Sequence, residues 1–390
     1  MNQSINRTET LMYKFTYAGL IVLALGIFTS VSATALSHIL LFAPGIYFAL
    51  RFIKNRDFKL SSHWWAMFFL FIVSIFSVLM NWSDMPSPMK NIIKTKYFLI
   101  ALLSSFSFHY FKENYLTDKR IKVLIHLFLL STSVATISGL IGLWSGFNPL
   151  KFKAACHATR ACGLYGMYMT YGYGISMFMV LLTGVIVYRK RFSKWVNPRY
   201  LYIAWAINFV GLILSFARGG WIGFFCAVPF LFLNQHVKKV IGLFFIGIAF
   251  TGIAYVSSDT VQNMITKRSE SNKQRLAFFE TAYMAFRERP LFGYGYRNFE
   301  PNVKKLKRRY DIGWPEFGGH AHNNALEHLA STGALGFIGF ILFCLLWLKN
   351  SYKEPILFAF VMSFCLSGLF QYTFGDGENL FFILGIFSFF

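Results

Sequence analysis

Charged residues are scarce in this chain of 390 residues, and acidic residues are scarcer still. Only 14% of the residues are charged, with 16 Asp or Glu against 38 Lys or Arg, whereas soluble domains usually carry about 25% charged residues. Hydrophobic residues make up 56% of the chain, and Phe alone occurs 47 times. A soluble core of this length cannot bury so much apolar surface, but a bilayer can. The composition therefore predicts an all-α integral membrane protein.

Motifs of common soluble enzymes are also missing. The chain has no G-x-x-x-x-G-K-[ST] phosphate loop, no G-x-S-x-G nucleophile turn and no D-x-D. Its nearest acidic pair, Asp376 and Glu378, gives little support for a divalent cation site. A net charge of +22 would indicate nucleic acid only if the cations covered a soluble surface, and here they lie in short loops between apolar runs. We predict no metal, no cofactor and no nucleic-acid partner.

Apolar runs of the length that crosses a bilayer predict about 12 transmembrane helices. Their centres lie near residues 24, 44, 71, 102, 133, 176, 208, 226, 247, 338, 364 and 383. The first run has no clear small-residue cleavage site and is predicted to be a retained span. Cationic loops near residues 51–59, 112–122, 189–199, 238–239 and 349–353 fall on the side of both termini, which the positive-inside rule makes cytoplasmic.

One long polar segment interrupts the predicted spans. We expect transmembrane helices over residues 1–256, a large periplasmic loop with short helices over 257–320, and further transmembrane helices over 321–390. Within the loop, apolar residues recur at helical spacing between Lys273 and Glu288: Leu276, Phe279, Ala282, Tyr283 and Phe286. This pattern predicts an amphipathic helix at the outer interface or over a cavity. Pro290 should end the helix, and Gly293 and Gly295 should form a turn.

Several cations lie in short external loops, where the positive-inside rule disfavours them. We interpret Lys151 and Lys153 as side chains that reach lipid headgroups. Lys96, Arg160 and Arg218 are candidates for function, because an ionisable group at such a position is costly.

Two cysteines, Cys156 and Cys162, share one of these loops. An external loop is a place where a disulfide can persist. Their spacing alone is equally compatible with a bridge and with two free thiols.

The run H-A-H-N-N-A-L-E-H, from His320 to His328, precedes the tenth predicted span. No two of its histidines are four residues apart, so it is not the paired-His motif of a zinc protease helix. His322, followed by Asn323, is interpreted as a single imidazole at a helix N-terminus, which favours a neutral ring that can accept a proton. Taken alone, a histidine that bonds a carbonyl or a headgroup is the simpler interpretation.

Two arginines could hold an anion outside the membrane. Arg218, in S-F-A-R-G-G-W, lies in a short turn between spans; its guanidinium could bind phosphate oxygens in bidentate fashion or stabilise helix C-terminal carbonyls. Arg275 lies near the start of the predicted amphipathic helix, where a cation does not favour the helix dipole. That position favours an external anionic partner.

Three segments, Q-R-L-A-F-F-E, R-P-L-F-G-Y-G-Y-R-N-F and H-A-H-N-N-A-L-E…G-A-L-G-F-I-G-F, resemble the O-antigen ligase and polymerase superfamily. The likeness covers most of the chain from about Lys94. It implies a GT-C-like transferase that moves glycan from undecaprenyl diphosphate to lipid A-core oligosaccharide at the periplasmic face of the bacterial inner membrane. An O-antigen polymerase or a protein O-oligosaccharyltransferase fits the same motifs, and a lipid-glycan transporter is a more distant alternative.

The resemblance also implies roles for single residues. His322 matches the family's essential histidine, and Arg218 and Arg275 match its arginines, so these three are the predicted catalytic residues. Arg160 and Lys96 match further basic positions and are predicted to bind substrate, together with His320 and Asn323. Since His320 supplies a second imidazole close by, the choice of base between His320 and His322 stays open. No metal is expected in this site.

Overall fold

The structure is a computed structural model that describes residues 6–233, 238, 242 and 269–389. Within these residues it is helical apart from one two-stranded pairing. The predicted span near residue 247 and the first part of the predicted loop lie outside the described residues. The division at residues 256 and 320 concerns membrane topology and stays a prediction.

The helices before the long loop follow the apolar runs of the sequence. In chain order they are α1 (Arg7–Gly26), α2 (Val31–Asn55), α3 (Ser62–Met80), α4 (Pro88–Lys94), α5 (Lys96–Asn114), α6 (Asp118–Ser145), α7 (Tyr168–Val187), α8 (Arg189–Phe192), α9 (Pro198–Leu214) and α10 (Arg218–Ala227). A 3₁₀ turn (Val228–Phe232) continues α10. Strands β1 (Phe147–Asn148) and β2 (Lys153–Ala154) pair antiparallel between α6 and α7.

Five helices follow within the described residues 269–389. They are α11 (Ser269–Glu288), α12 (Phe299–Arg309), α13 (Asn324–Ser351), α14 (Pro355–Gly368) and α15 (Gly377–Phe389). Every predicted span centre except the one near residue 247 falls within a helix.

Helix length and composition identify membrane-crossing segments. Among the described residues, five helices are long and apolar enough to span a bilayer: α2, α3, α6, α7 and α13. Four shorter apolar segments accompany them, at Pro198–Leu214, Arg218–Phe232, Pro355–Gly368 and Gly377–Phe389. The chain is therefore a multi-pass, all-helical membrane protein.

Polar residues and glycines set where several of these helices begin and end. The Ser30 side chain accepts a hydrogen bond from the Ala33 amide and caps α2, and Thr117 caps α6 through the Arg120 amide. Gly146 ends α6 with φ of 75°, a left-handed conformation that glycine adopts without a steric cost. Pro198 and Pro355 each lie in a first helical turn, where the missing N–H is not needed.

The helices pack as two compact units. The first contains residues 6–61, 96–221 and 376–389, and the second contains 62–95, 222–233 and 269–375. In the first unit, α1 packs against α2 and α6, and α7 packs against α9. In the second unit, α13 packs along α3 and also contacts α11 and α14.

Helix α11 confirms the predicted helix between Lys273 and Glu288. Two of its apolar residues at helical spacing, Leu276 and Tyr283, are 63% and 52% exposed. The buried side chains are mostly small: Ala277, Phe278, Thr281, Ala282 and Ala285. Small side chains let α11 approach its neighbours closely, and the bulkier residues therefore lie on the outer side.

A break in α13 receives the loop that follows α11. Gly333 has φ of 66° and ψ of −163°, which interrupts the helical backbone. At the break, the Tyr294 amide donates to the Ala330 carbonyl (2.9 Å), and the Ala334 amide donates to the Pro290 carbonyl (2.8 Å). The predicted turn is confirmed, since Gly293 and Gly295 have φ of 61° and 100°. Two sequence motifs that are distant along the chain thus form one hydrogen-bonded element.

Candidate functional site

The His-Asn segment leads directly into α13. His322 has φ of 49°, and Asn323 is the N-cap, since its Oδ1 accepts from the Leu326 amide at 3.0 Å. The prediction that His322 precedes a helix N-terminus is confirmed. The Asn323 Nδ2 donates to the Leu369 carbonyl at 3.1 Å. The oxygen and the nitrogen of the Asn323 side-chain amide are therefore both bonded to backbone groups. These bonds give Asn323 a positioning role at the start of α13, and its contact with substrate stays a prediction.

Buried polar residues hold the backbone around the histidines. The Glu327 carboxylate accepts from the Ala321 amide (2.8 Å) and from the Ser331 hydroxyl (3.1 Å), and Glu327 is almost fully buried. Asn324 donates to the Thr373 hydroxyl (3.0 Å) and accepts from the Phe374 amide (3.0 Å). Because these groups are paired, their burial carries no penalty for unmade hydrogen bonds. They fix the segments that carry His320, His322 and Gln371.

Gln371 joins the two imidazoles. His322 Nδ1 lies 2.9 Å from Gln371 Oε1, and His320 Nε2 lies 3.1 Å from Gln371 Nε2. The His322 amide lies 3.1 Å from His320 Nδ1, and the two ring centroids are 4.3 Å apart. Both ring nitrogens of His320 therefore lie within hydrogen-bond distance of a neighbour, whereas His322 Nε2 has no hydrogen-bond partner among the described residues.

The orientation of the Gln371 amide determines which nitrogen of His322 carries the proton. A neutral imidazole has one lone pair, so His320 can accept from the His322 amide or from Gln371, but not from both. When Gln371 Nε2 donates to His320, its Oε1 accepts from His322 Nδ1–H, and His322 Nε2 is left as an acceptor. When the amide is turned over, His322 Nε2 carries the proton. The atom positions of Gln371 correspond to the first arrangement, in which His322 Nε2 is the acceptor and the close approach of the His322 amide to His320 Nδ1 is not a hydrogen bond.

Burial keeps both imidazoles neutral. Desolvation, followed by the charges of His322 and Arg275, lowers the pKa of His320 to about 3. Desolvation also lowers the pKa of His322 below its usual 6.5; Arg275 and Lys307 lower it further, and the hydrogen bond with Gln371 raises it. The pKa of His322 lies below neutral pH, so the ring is unprotonated at pH 7 and can accept a proton.

Cations of α11 and α12 act on His322 through their charge. Arg275 in α11 acts electrostatically on both histidines. The Phe278 ring contacts His322 edge-on at 5.4 Å, and the Lys307 Nζ lies 3.6 Å from the centroid of the same ring. Lys307 is fully buried and donates to the Trp314 and Phe317 carbonyls, both at 3.3 Å. This buried ammonium ties the segment before the histidines to α12.

The arginine of R-P-L-F-G-Y-G has structural partners. Arg289 forms an ion pair with Asp84 (2.7 Å) and donates to the Asn81 side chain (2.5 Å). Its guanidinium also lies 4.6 Å from the Tyr294 ring centroid. These contacts hold the loop that enters the break of α13 against the end of α3.

Arg218 belongs to the first unit and is the first residue of α10, in the predicted turn after α9. Helix packing requires a glycine at position 220, because a Cβ on Gly220 would lie 2.7 Å from the Gly172 carbonyl oxygen. Ser176 donates to the Gly220 carbonyl at 2.6 Å. The turn is thus held against α7, and a ligand role for Arg218 stays a prediction.

Arg160 and Lys96 also lie in the first unit. Arg160 lines a cavity at the end of α6 and stacks on the Tyr168 ring at 4.2 Å. Lys96 is exposed at the start of α5, with its ammonium 5.5 Å from the Tyr97 ring centroid. Cys156 and Cys162 form a disulfide bridge, which decides between the two possibilities that the sequence left open.

Within the described ranges 6–233 and 269–389, no group of three His, Cys, Asp or Glu side chains is arranged to hold a metal ion. The second unit instead brings together His320, His322, Asn323 and Arg275. Arg218, Arg160 and Lys96 are placed in the first unit.

Three residues near His322 were not identified from the sequence. Gln371 lies in the polar run Gln371–Thr373 within an apolar segment, and Glu327 follows His322 by five residues. Lys307 lies four residues after buried Val303 and eight after buried Phe299, so helical spacing places it on the buried face of α12. That spacing was a usable signal, because a lysine on a buried face is uncommon.

Comparison with known proteins identifies the domain that carries this segment. Residues 202–341 match the model of a family described as O-antigen ligase. A protein of Haemophilus influenzae described as uncharacterized is 26% identical over 190 residues, which cover 44% of this chain. The match spans 47% of the relative's length, so it carries no information on substrate.

The family match includes α11, α12, the His-Asn segment and the broken part of α13, which are the elements that build the second-unit site. It supports glycan transfer of the ligase or polymerase type. The resemblance indicated by the motifs is therefore confirmed for residues 202–341, which match the model of the O-antigen ligase family.

Proposed function

We propose that this chain is an O-antigen ligase. It transfers glycan from undecaprenyl diphosphate to lipid A-core oligosaccharide at the periplasmic face of the bacterial inner membrane, by metal-independent inverting transfer. One observation carries the proposal: a neutral imidazole, His322, has an open Nε2 and feels the positive charge of Arg275 inside the matched domain. A base and a cation together suit a reaction that removes a proton and releases a phosphate.

His322 acts as the general base. The acceptor hydroxyl attacks the anomeric carbon of the donor sugar while His322 Nε2 takes the hydroxyl proton, and the bond from that carbon to the diphosphate oxygen breaks. A positioned base contributes about 10²- to 10⁴-fold to the rate. Gln371 holds the ring through Nδ1, and its amide keeps Nε2 in the acceptor form.

The leaving diphosphate gains negative charge, and cations at that position stabilise the transition state more than the ground state. In our proposal Arg275 and Arg218 supply this charge, with Arg160 and Lys96 as further donor-binding residues. His320 and Asn323 complete the substrate-binding set by holding His322 and the start of α13. We also propose that Arg218 and His322 act on the same bound donor.

We further propose about twelve spans in a GT-C-like arrangement, with both termini in the cytoplasm. Support for the external side of the α6–α7 connection comes from the bridge between Cys156 and Cys162, because disulfides persist in the periplasm and are rare in the cytosol. Apolar helices beside the site would hold the polyprenyl chain, whose exposure to water is costly.

The test uses purified protein in nanodiscs with undecaprenyl-diphosphate-linked glycan and lipid A-core oligosaccharide. His322→Ala should insert normally but lose transfer by at least about 10²-fold. His320→Ala is the matched control, since it removes the neighbouring imidazole and leaves the base; it should retain measurable transfer. Full transfer by the His322→Ala protein would reject His322 as the base.

The acceptor is tested in the same assay. An O-antigen polymerase would lengthen the lipid-linked glycan without lipid A-core, and a protein O-oligosaccharyltransferase would require a protein acceptor. A transporter would form no new glycosidic bond with any acceptor. Transfer that requires lipid A-core identifies the ligase, and transfer only in its absence contradicts it.

A further inference from the structure

An exposed apolar stripe runs along α6 and reaches its last residues. It consists of exposed side chains at helical spacing: Leu130, Val134, Ile137 and Ile141. Because α6 is long and apolar enough to span a bilayer, a stripe of this kind faces the acyl chains of the lipids. Trp144, in the last turn of α6, continues the same spacing and is 74% exposed. The lipid-facing side of α6 therefore extends to the point where the connection to α7 begins.

The length of α6 places Trp144 near the boundary of the hydrocarbon layer. The charged residues at the start of α6 end with Lys122, and a hydrocarbon layer of about 30 Å takes up about 20 helical residues. Counted from Val123, those residues end just before Trp144. This boundary is also where tryptophan is enriched in membrane proteins. The connection after α6 therefore begins at the level where acyl chains meet lipid headgroups.

The hairpin of β1 and β2 continues the apolar surface. Phe147, Leu150 and Phe152 are all exposed, and the Phe147 and Phe152 rings meet edge-on, with their centroids 6.4 Å apart. Lys151 and Lys153 alternate with the last two of these residues and line a cavity at the end of α6. The hairpin therefore has an apolar side and a cationic side.

The backbone of this hairpin is held in place by hydrogen bonds. Buried Asn148 accepts from the Ser138 hydroxyl (2.8 Å) and from the Lys151 amide (3.1 Å). At the base of the hairpin, the Ala155 amide donates to the Gly146 carbonyl (2.8 Å). The position of the hairpin relative to the end of α6 is therefore set within the first unit.

Phe152 has an unfavourable backbone conformation and little packing in return. Its φ of 50° lies in the left-handed region, where a bulky residue is strained and glycine is the usual choice. With 82% of its surface exposed, the Phe152 side chain gains little contact within the chain. Burial of a phenyl ring stabilises by a free energy of the same order as this strain costs. An apolar surrounding outside the chain would therefore offset the strain.

The charge of the connection fits a lipid surface. No Asp or Glu occurs between residues 146 and 167, and Lys151 and Lys153 lie beside the apolar side chains. Aromatic and aliphatic side chains at the edge of the acyl chains, next to lysines that reach the headgroups, are typical of segments that lie in the surface of an anionic bilayer.

We propose that Trp144, Phe147, Leu150 and Phe152 form a membrane anchor, which inserts between the phospholipids on the side of the bilayer where α6 ends. The rings and the leucine enter the boundary of the acyl chains, and the two lysines of the hairpin stay at the level of the headgroups. The anchor holds the α6–α7 connection on the lipid surface and out of the aqueous phase. It requires neither the proposed transfer reaction nor its substrates.

Photocrosslinking identifies what the membrane anchor contacts. The full chain with Phe152→p-benzoylphenylalanine is placed in nanodiscs of phosphatidylcholine and phosphatidylglycerol, irradiated and analysed by intact-protein mass spectrometry. The expected product is the chain plus the mass of one phospholipid. Ile137→p-benzoylphenylalanine, on the lipid-facing stripe of α6, is the positive reference.

The matched control is Thr159→p-benzoylphenylalanine. Thr159 is exposed in the same connection but lies between the two bridged cysteines. The yield of lipid adduct should be severalfold higher at residue 152 than at residue 159. The proposal is overturned if the two yields are equal. It is also overturned if the variant at residue 152 crosslinks mainly to a second copy of the chain, which would make this surface a protein interface.

Fluorescence quenching measures the depth of the hairpin independently. Phe152→Trp and Thr159→Trp are compared in nanodiscs whose lipids carry bromine either near the headgroup end or near the methyl end of the acyl chains. The emission that Phe152→Trp adds to that of the parent protein should be quenched most by bromine near the headgroups, whereas Thr159→Trp should be quenched little by either lipid. Equally weak quenching at both positions would place the hairpin in water and overturn the proposal. Because neither measurement requires glycan transfer, an inactive preparation has no bearing on the outcome.

Discussion

The His-Asn segment of the second unit and the α6–α7 connection of the first unit hold functional side chains by different means. Around His322, the holding groups are buried hydrogen-bonding side chains such as Glu327 and Gln371, and a break in α13. Around Arg160, the holding groups are a disulfide and a two-stranded pairing. The first arrangement controls protonation, whereas the second presents fixed positive charge. This difference suits a base in one region and an anion site in the other.

The largest expected effect comes from a substitution at the break in α13. Gly333→Ala adds a Cβ that meets the Leu291 carbonyl at a residue with φ of 66°. Strain and the displaced loop should destabilise the second unit by about 3 kcal/mol or more, measured as a fall in thermal unfolding temperature of the purified protein. Gly313→Ala is the control, because no atom lies within 4 Å of the added Cβ. Equal stability of the two variants would contradict the role given to the break.

Substitution of Gln371 tests whether this residue controls the protonation of His322, through the pH dependence of the transfer rate. Gln371→Glu places a carboxylate against His322 Nδ1 and should raise the His322 pKa, moving the acidic limb of the transfer rate upward by about 1 to 3 pH units. The wild-type His322 pKa is below 6.5, so the wild type should keep its neutral base, and its rate, below pH 6.5. The Glu variant should lose activity near pH 7, where its imidazole becomes protonated.

Gln371→Leu is the uncharged control for this experiment. It removes the hydrogen bond and should lower the rate at every pH, by about 10-fold or more, without moving the acidic limb upward. Identical pH profiles for the Glu and Leu variants would show that Gln371 does not act on the protonation of His322.

The smallest expected effect concerns the bridge of the first unit. Replacing both Cys156 and Cys162 with Ser opens a loop of few residues, so the expected loss of stability is about 2 kcal/mol. The KM for the lipid-linked donor should rise, because the segment that carries Arg160, a proposed donor-binding residue, is no longer closed. Transfer chemistry at His322 should keep its pH dependence. An altered pH profile would mean that the two regions are not independent.

Several features followed from the sequence because they depend on local chemistry. Asn323 after His322 indicated a helix start, and it caps α13. Pro290 and Gly293 indicated a helix end and a turn, and both lie where α11 gives way to the loop. Such features need only neighbouring residues, which explains their predictability.

Features that depend on distant contacts were missed. Gln371 contacts His322 across 49 residues, and no local pattern marks that pairing. The side of α11 that packs against other helices also depends on distant contacts, since its buried residues are mostly small ones such as Ala277, Ala282 and Ala285. Leu276 and Tyr283 show that, in a membrane protein, a large apolar side chain does not indicate the protein interior.

The loop in the break of α13 also has a mechanical consequence. Helix α11 ends at Glu288, and two residues later Pro290 is hydrogen-bonded to Ala334 on α13. Ala334 follows the break, whereas Ala330, which accepts from the Tyr294 amide, precedes it, so the loop after α11 is bonded to both parts of α13. A tilt of either part therefore moves the loop, and through it the helix that carries Arg275, so the two helices respond together to a change in the surrounding bilayer.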